Sequence, residues 1–366
     1  MRIARVFGIS IELHQTFIWL IVLAAVLLAV LSPEMFFSTM LLLFFLFASV
    51  LVHELFHSFV AIARGGKIQR IVLLPIGGIS MADEMPDKPL DEFLIAIAGP
   101  LFNFLVVIAI LLLVAIFPQL PFPQNLFSDL AGTGLEDAVF QFPLFALLWV
   151  NLILGAFNLF LPAFPLDGGR VLRAILAAFL GNVKATRIAS IIGRFLAGVL
   201  FIAGFLIGDF IVLIIAVFIF LGAGQENEFV ELRELMKGIE LEPVINKRPL
   251  VLNGNTNLED ASKLMQQMNK PFLLVDMGDA LGFISSGTLS SIKKSAWWET
   301  KAMDASKRIP IIDLKKDAKK IALNLFAKNF PALAVVGEKS HFIGIIEAEA
   351  LQNLIALARL KNKTAQ

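Results

Sequence analysis

Over its first 224 residues the chain alternates long apolar runs with short polar breaks. Six apolar stretches occupy about 15–32, 38–63, 92–117, 142–165, 188–207 and 210–224. A helix crossing the hydrocarbon core of a bilayer needs ~20 such residues, so each stretch predicts a span. The first follows Arg2 and Arg5 like a secretory leader. Leu31, Ser32, Pro33 and Glu34 offer no small-x-small cleavage site, so it reads as an uncleaved first span. Residues 225–242 interleave acids with apolar positions and predict a charged helical linker. Beyond it an internal repeat begins. Pro271 leads the β-type run Phe272–Val275 and Gly282 follows; Pro331 leads Ala332–Val335 and Gly344 follows, at offsets of 60 and 62 residues. Helix-like runs at 258–270 and 317–329 precede the two strands. The pattern predicts a duplicated helix–strand–turn–strand–helix module whose halves pack face to face.

Charge sharpens this division. Residues 1–224 carry 13 acids and 11 bases, whereas 225–366 carry 17 acids and 20 bases in far fewer positions. The expected domains are therefore 1–224 in the membrane, a linker at 225–242, and a soluble pair at 243–366, divided at about 297/298. The breaks at 33–37, 118–141 and 208–209 contain no Lys or Arg. The opposite set holds Arg2, Arg5, Arg64, Lys67, Arg70, Lys88, Arg170, Arg173, Lys184 and Arg187. That bias predicts a multi-pass protein of the cell membrane with the N-terminus, the C-terminus and the repeat in the cytoplasm. With 58% hydrophobic residues and only 17% charged, against about 25% in ordinary soluble domains, a single soluble domain is excluded. The net charge of +1 argues against a nucleic-acid partner. The absence of cysteine excludes disulfides, thiol nucleophiles and thiolate metal sites.

Two of the four histidines, His53 and His57, lie in the second stretch as H-E-x-x-H around Glu54. On a helix, residues i and i+4 share a face, so both imidazoles can bind one metal ion, with Glu54 as general base toward water. Three ionisable groups inside an apolar span are costly unless paired or functional. A catalytic zinc needs a third protein ligand and an open position. Candidates are His14, Glu12, Asp129, Asp167, Asp209 and the acids around 83–92. Asp167 stands out: Pro162 and Pro165 end the fourth stretch, and Gly168 and Gly169 allow a sharp turn that points an acid back toward the bundle. The competing role for Asp167 is an ordinary helix cap.

H-E-x-x-H in the second span, with P-x-x-P-L-D-G-G after the fourth, resembles the site-2 protease family of intramembrane zinc metalloproteases. Leu74-Pro75-Ile76-Gly77-Gly78 is similar to that family's strand segment after the second span, and Gly99-Pro100-Leu101-Phe102-Asn103 to its third-span motif. The resemblance implies a polytopic α-helical membrane protein of six transmembrane helices with a short β segment. It implies one Zn2+ per chain on His53, His57 and Asp167, with Glu54 as catalytic base. Asn158, Gly77 and Gly78 would contact substrate, although Asn158 lies four residues before Pro162 where the family has three. The implied activity is hydrolysis of peptide bonds in or near transmembrane segments of membrane-anchored proteins, as in regulated intramembrane proteolysis, with lipid as surroundings. Residues 68–81 could offer a strand edge to an extended peptide. The alternative is a membrane ion transporter or metal-binding membrane protein.

The repeat resembles a soluble α/β tandem cystathionine-β-synthase (CBS) pair, which in many proteins binds adenine nucleotides through G-x-x-T-x-x-D. Here the copies read Gly282…Ser285…Thr288 and Gly344…Glu347…Ala350. The Asp is missing from both, and Glu347 would repel phosphate. A structural module or a homodimer contact is expected before an adenine-nucleotide site. His14 is expected at the membrane interface, and Trp297-Trp298 between the two repeats.

Overall fold

Strands β1 (Arg2–Val6) and β2 (Ile9–Leu13) form a hairpin about Phe7 and Gly8, both at positive φ, as a two-residue type I′ connection requires. The basic N-terminal flank of the first span is therefore folded as strand. The alternation Ile9, Ile11, Leu13 carried that signal, and Ile9 and Ile11 are buried. This computed structural model describes residues 1–75, 77–84, 86, 88–123, 139–237, 240–313, 330–337 and 341–364. It divides into two compact units, Met1–Val230 and Glu231–Gln366.

In the first unit the hairpin leads into α1 (Gln15–Leu31), α2 (Phe36–Ala63), β3 (Lys67–Leu74), β4 (Gly77–Glu84), α3 (Pro89–Ile116), α4 (Pro143–Phe160), α5 (Asp167–Leu180) and α6 (Asn182–Ile207), and α7 (Phe210–Lys237) begins there and runs past the boundary at Val230. Five of these helices, α2, α3, α4, α6 and α7, are long and apolar enough to cross a membrane, and α1 is an apolar helix of 17 residues. Helix α7 does not stop at 224. It continues unbroken to Lys237, so most of the expected linker prolongs the sixth apolar helix. The sheet order is β1-β2-β3-β4. Strands β2 and β3 pair in parallel, with the α1–α2 hairpin as their crossover, while β4 pairs antiparallel to β3 and forms an edge.

Helix packing follows the placement of small residues. Ala185, Ala189, Gly193 and Ala197 on α6 are buried, and the contacts there include Ala163, Phe164, Ile219 and Ala223. Helices without a hydrophobic driving force between them associate by such close backbone approach. Arg173 on α5 donates from Nε to Glu92 of α3 at 2.6 Å and pairs also with Glu226 of α7. Burial pulls the guanidinium pKa down, but the two carboxylates outweigh it and the net shift is upward.

Among the described residues the second unit has two sheets, one of four strands and one of three. Strands β5 (Val251–Leu252), β6 (Phe272–Asp276), β7 (Leu281–Ser285) and β8 (Lys307–Arg308) make the first. Strands β9 (Ile311–Asp313), β10 (Ala332–Val336) and β11 (Phe342–Glu347) make the second. Each half has a short parallel strand beside an antiparallel hairpin. The period of two along each strand explains the packing. Leu273 and Val275 enter one core with Leu258 and Met265, while Leu333 and Val335 enter another with Leu351. The intervening Leu274, Ala332 and Ala334 join Phe283 and Ile345 in a third, between the two hairpins. The halves do meet face to face. Lys270 and Glu347 join them further through a 3.1 Å ion pair. The helix expected at 317–329 lies outside the described residues. Trp297 corrects one expectation: it packs within the first half's core and donates from its indole nitrogen to Ile292 O, while Trp298 is exposed.

Candidate metal centre

His53 and His57 lie on one face of α2, four residues apart, and both are buried. Helix α3 packs against α2 and orients them. His57 Nδ1 donates to Ile95 O at 2.6 Å, and His53 Nδ1 donates to Asn103 Oδ1 at 2.5 Å. Both rings therefore turn Nε2 toward a common point. The two Nε2 atoms are 3.0 Å apart, and each lies 3.1 Å from Asp167 Oδ2. With both protons committed at Nδ1, three lone-pair-bearing atoms converge with no protein hydrogen between them. Such a set suits a cation. Atoms about 3 Å apart can all reach one ion at zinc–ligand lengths of ~2.0–2.2 Å.

Asp167 arrives there because α4 ends at Phe160, before Pro162, and α5 restarts at Asp167 itself. The N-cap position of α5 is Leu166, and Asp167 Oδ2 meets the two imidazoles. Arg170, one turn on, lies 3.9 Å from Oδ1. Gly168 and Gly169 serve a different purpose from the turn expected of them. A Cβ at Gly168 would come within 2.5 Å of Leu159 O, and one at Gly169 within 2.6 Å of Ala163 C, so both permit close backbone approach. Gly99 does the same for the imidazoles: a Cβ there would sit 2.6 Å from His53 Nε2.

Of the other candidates for a third ligand, five are engaged elsewhere. Glu12 pairs with Arg70, Asp91 with Arg64, and Glu92 with Arg173. Asp209 caps α7 by accepting from Ile211 N–H, and His14 caps α1 by accepting from Thr16 N–H. Asp87 and Asp129 lie outside the described residues. Among the described residues, His53, His57 and Asp167 are the one set of three such side chains able to hold a metal ion.

Glu54 is half-buried beside this set and lines the same cavity of about 1040 Å3. Strand β4 lies against it. Ser80 Oγ donates to Glu54 Oε2 at 2.9 Å, and a Cβ on Gly78 would collide with Glu54 Cγ at 2.5 Å. Gly77 has φ +132°, a backbone region that side chains rarely adopt. Asn158 also lines the cavity and donates from Nδ2 to Leu154 O. The sequence reading missed Ser80 and the role of Asn103, and it missed Asn151 altogether. Asparagines inside apolar helices were the available signal, since each is costly there without a partner.

Comparison with known proteins covers this part of the chain. The Peptidase family M50 model matches residues 41–203. A zinc metalloprotease of Methanocaldococcus jannaschii is 33% identical over 99% of this chain and 98% of its own length. The solved structure of the site-2 protease from that organism shares 40% identity, covering 62% of this chain and 94% of that one, with a TM-score of 0.46. A CBS domain-containing protein from Bacillus anthracis shares 20% identity, covering 34% of this chain and 97% of that one, with a TM-score of 0.29. With a metalloprotease similar from end to end and a multi-pass array of apolar helices around a His-His-Asp set, the chain belongs to the M50 family of site-2 protease-type zinc metalloproteases.

Proposed function

We propose that the protein is an intramembrane endopeptidase that cuts membrane-anchored proteins in or near their transmembrane segments, as in regulated intramembrane proteolysis. His53, His57 and Asp167 hold one zinc ion and Glu54 is the proton carrier. The observation that carries this reading is the convergence of the two Nε2 atoms and Asp167 Oδ2 within 3.1 Å of one another, with Glu54 next to His53 on the same helix. When bound, zinc supplies Lewis acidity toward a carbonyl and toward water at neutral pH. Glu54 takes a proton from the attacking water and delivers it to the leaving amide nitrogen. Ser80 holds Oε2, which leaves Oε1 to carry the proton.

A helical substrate hides its carbonyls in i→i−4 bonds and must unwind to be cut. Strand β4, an edge of its sheet with Gly77, Gly78 and Ser80 beside Glu54, supports capture of the unwound segment by strand addition. Asn158 lines the same cavity and is assigned to substrate contact. His57 precedes the end of α2 at Ala63 by six residues, roughly 9 Å at 1.5 Å per residue. With the Lys and Arg bias, this distance supports a centre on the cytoplasmic side of the midplane, with both termini and the repeat in the cytoplasm.

The second unit is assigned as a tandem CBS pair. Glu347 already pairs with Lys270, and Thr288 is committed to a capping box with Ser285. Both features favour a structural or homodimer-forming role over an adenine-nucleotide site. No nucleic-acid partner is proposed. The test is purification of wild type and Glu54→Gln with zinc analysis and a single-span model substrate. One zinc per chain in both, with cleavage only by wild type, is expected. Undiminished cleavage by the Gln variant overturns the mechanism.

A further inference from the structure

His53 is the end of a chain of amides whose polarity is set three groups away. Asn151 on α4 donates from Nδ2 to Leu147 O at 2.9 Å and to Ser49 Oγ at 3.0 Å. A backbone carbonyl only accepts, so the end of the Asn151 amide facing Leu147 must be the nitrogen. Its Oδ1 consequently faces Asn103, which must answer with Nδ2, at 2.8 Å. Asn103 is then left with Oδ1 toward His53, and only a protonated Nδ1 can meet it. The imidazole lone pair falls on Nε2, the atom aimed at His57 and Asp167. Asn103 is fully buried and Asn151 nearly so, so water offers no competing partner.

We infer that the Leu147–Asn151–Asn103 relay is a positioning device that selects the metal-binding tautomer of His53 and holds its ring. The inference rests on the proposed zinc reading and adds residues that touch neither metal nor substrate. If Asn151 loses its anchor at Leu147, Asn103 can rotate and present Nδ2 to the ring. His53 would then keep its lone pair on Nδ1, facing away from Asp167. A carboxylate at position 103 has no donor end and cannot make that error. It would imitate the carboxylate–histidine pairs that orient ligands elsewhere.

The experiment uses the full-length protein in detergent, loaded with zinc and titrated with a competing chelator. Asn151→Leu and Asn103→Leu should each weaken zinc binding by about 10- to 100-fold. The double variant Asn103→Asp/Asn151→Leu should recover most of the loss caused by Asn151→Leu. The chain has only four histidines, so nitrogen-15 labelling of histidine gives a readable spectrum. It should show the His53 proton on Nδ1 in wild type and partly on Nε2 in zinc-free Asn151→Leu. If Asn151→Leu does not fold, the zinc affinity and His53 tautomer of Asn103→Leu decide alone. Wild-type affinity and tautomer in Asn151→Leu or in Asn103→Leu overturns the relay. Wild type that binds no zinc overturns the metal reading and the relay with it.

Discussion

Ser80 Oγ on β4 donates a 2.9 Å hydrogen bond to Oε2 of Glu54 on α2, so the residue assigned to proton transfer is held by the same strand proposed to receive substrate. Removing that hydroxyl frees a carboxylate rotamer without touching the metal ligands. Ser80→Ala should lower kcat by about fivefold, the effect of losing about 1 kcal/mol of orientation. Zinc content should be unchanged. A zinc-depleted Ser80→Ala protein would contradict this division of roles.

Gly78 makes a complementary case. Its Cβ would overlap Glu54 Cγ and lie 3.1 Å from Cδ. Gly78→Ala should reduce turnover at least tenfold while retaining one zinc per chain, since a displaced general base loses a contribution of about 10²–10⁴-fold. Single-turnover cleavage together with metal analysis checks both halves of the expectation.

Asp167→Asn tests the third ligand. The amide keeps the shape but offers a weaker, neutral donor to a cation flanked by two neutral imidazoles. Zinc should be lost on dialysis against a mild chelator that leaves wild type loaded. Retention of zinc at wild-type affinity would move the third ligand elsewhere.

Arg173 ties α5, which begins at Asp167, to α3 and α7 through Glu92 and Glu226, and its side chain is only 14% exposed. Arg173→Met leaves two carboxylates without their shared partner. Removing one member of a buried ionic group costs about 3–5 kcal/mol. Unfolding of the detergent-solubilised variant should report a loss of about that size, with zinc release at a lower temperature than in wild type.

Deleting residues 243–366 should leave zinc binding intact, because every proposed ligand and the base lie within Met1–Val230. Metal analysis of the truncated protein checks this. A change in oligomeric state on truncation is the outcome expected if the repeat holds two protomers together.

The residues that carry charge were legible in the sequence, because an ionisable group in an apolar run is visible against its background. His53, Glu54 and His57 could be singled out in that way, and Asp167 by the prolines and glycines that flank it. The duplicated strands of the second unit were legible from their matched Pro and Gly positions. Two kinds of information were not. The β1–β2 hairpin was hidden because Arg2 and Arg5 suit both a strand and the basic flank of a span. The Asn103–Asn151 contact joins residues 48 positions apart on separate helices, and no local period encodes which helices touch. The purpose of Gly168 and Gly169 was also misread, since a glycine that admits a neighbouring backbone looks the same in a sequence as one that makes a turn.

The glycines at 78, 99 and 168 mean that this enzyme's competence depends on carbon atoms that are missing. At each of these sites a methyl group would occupy space held by the Glu54 side chain, the imidazoles of His53 and His57, or the backbone before Asp167. A single-base change from a glycine to an alanine codon should therefore impair the protease while leaving H-E-x-x-H and the distant aspartate untouched. Relatives that retain all four of those side chains can still be pseudoenzymes, and their inactivity would be written only in the three smallest residues of the centre.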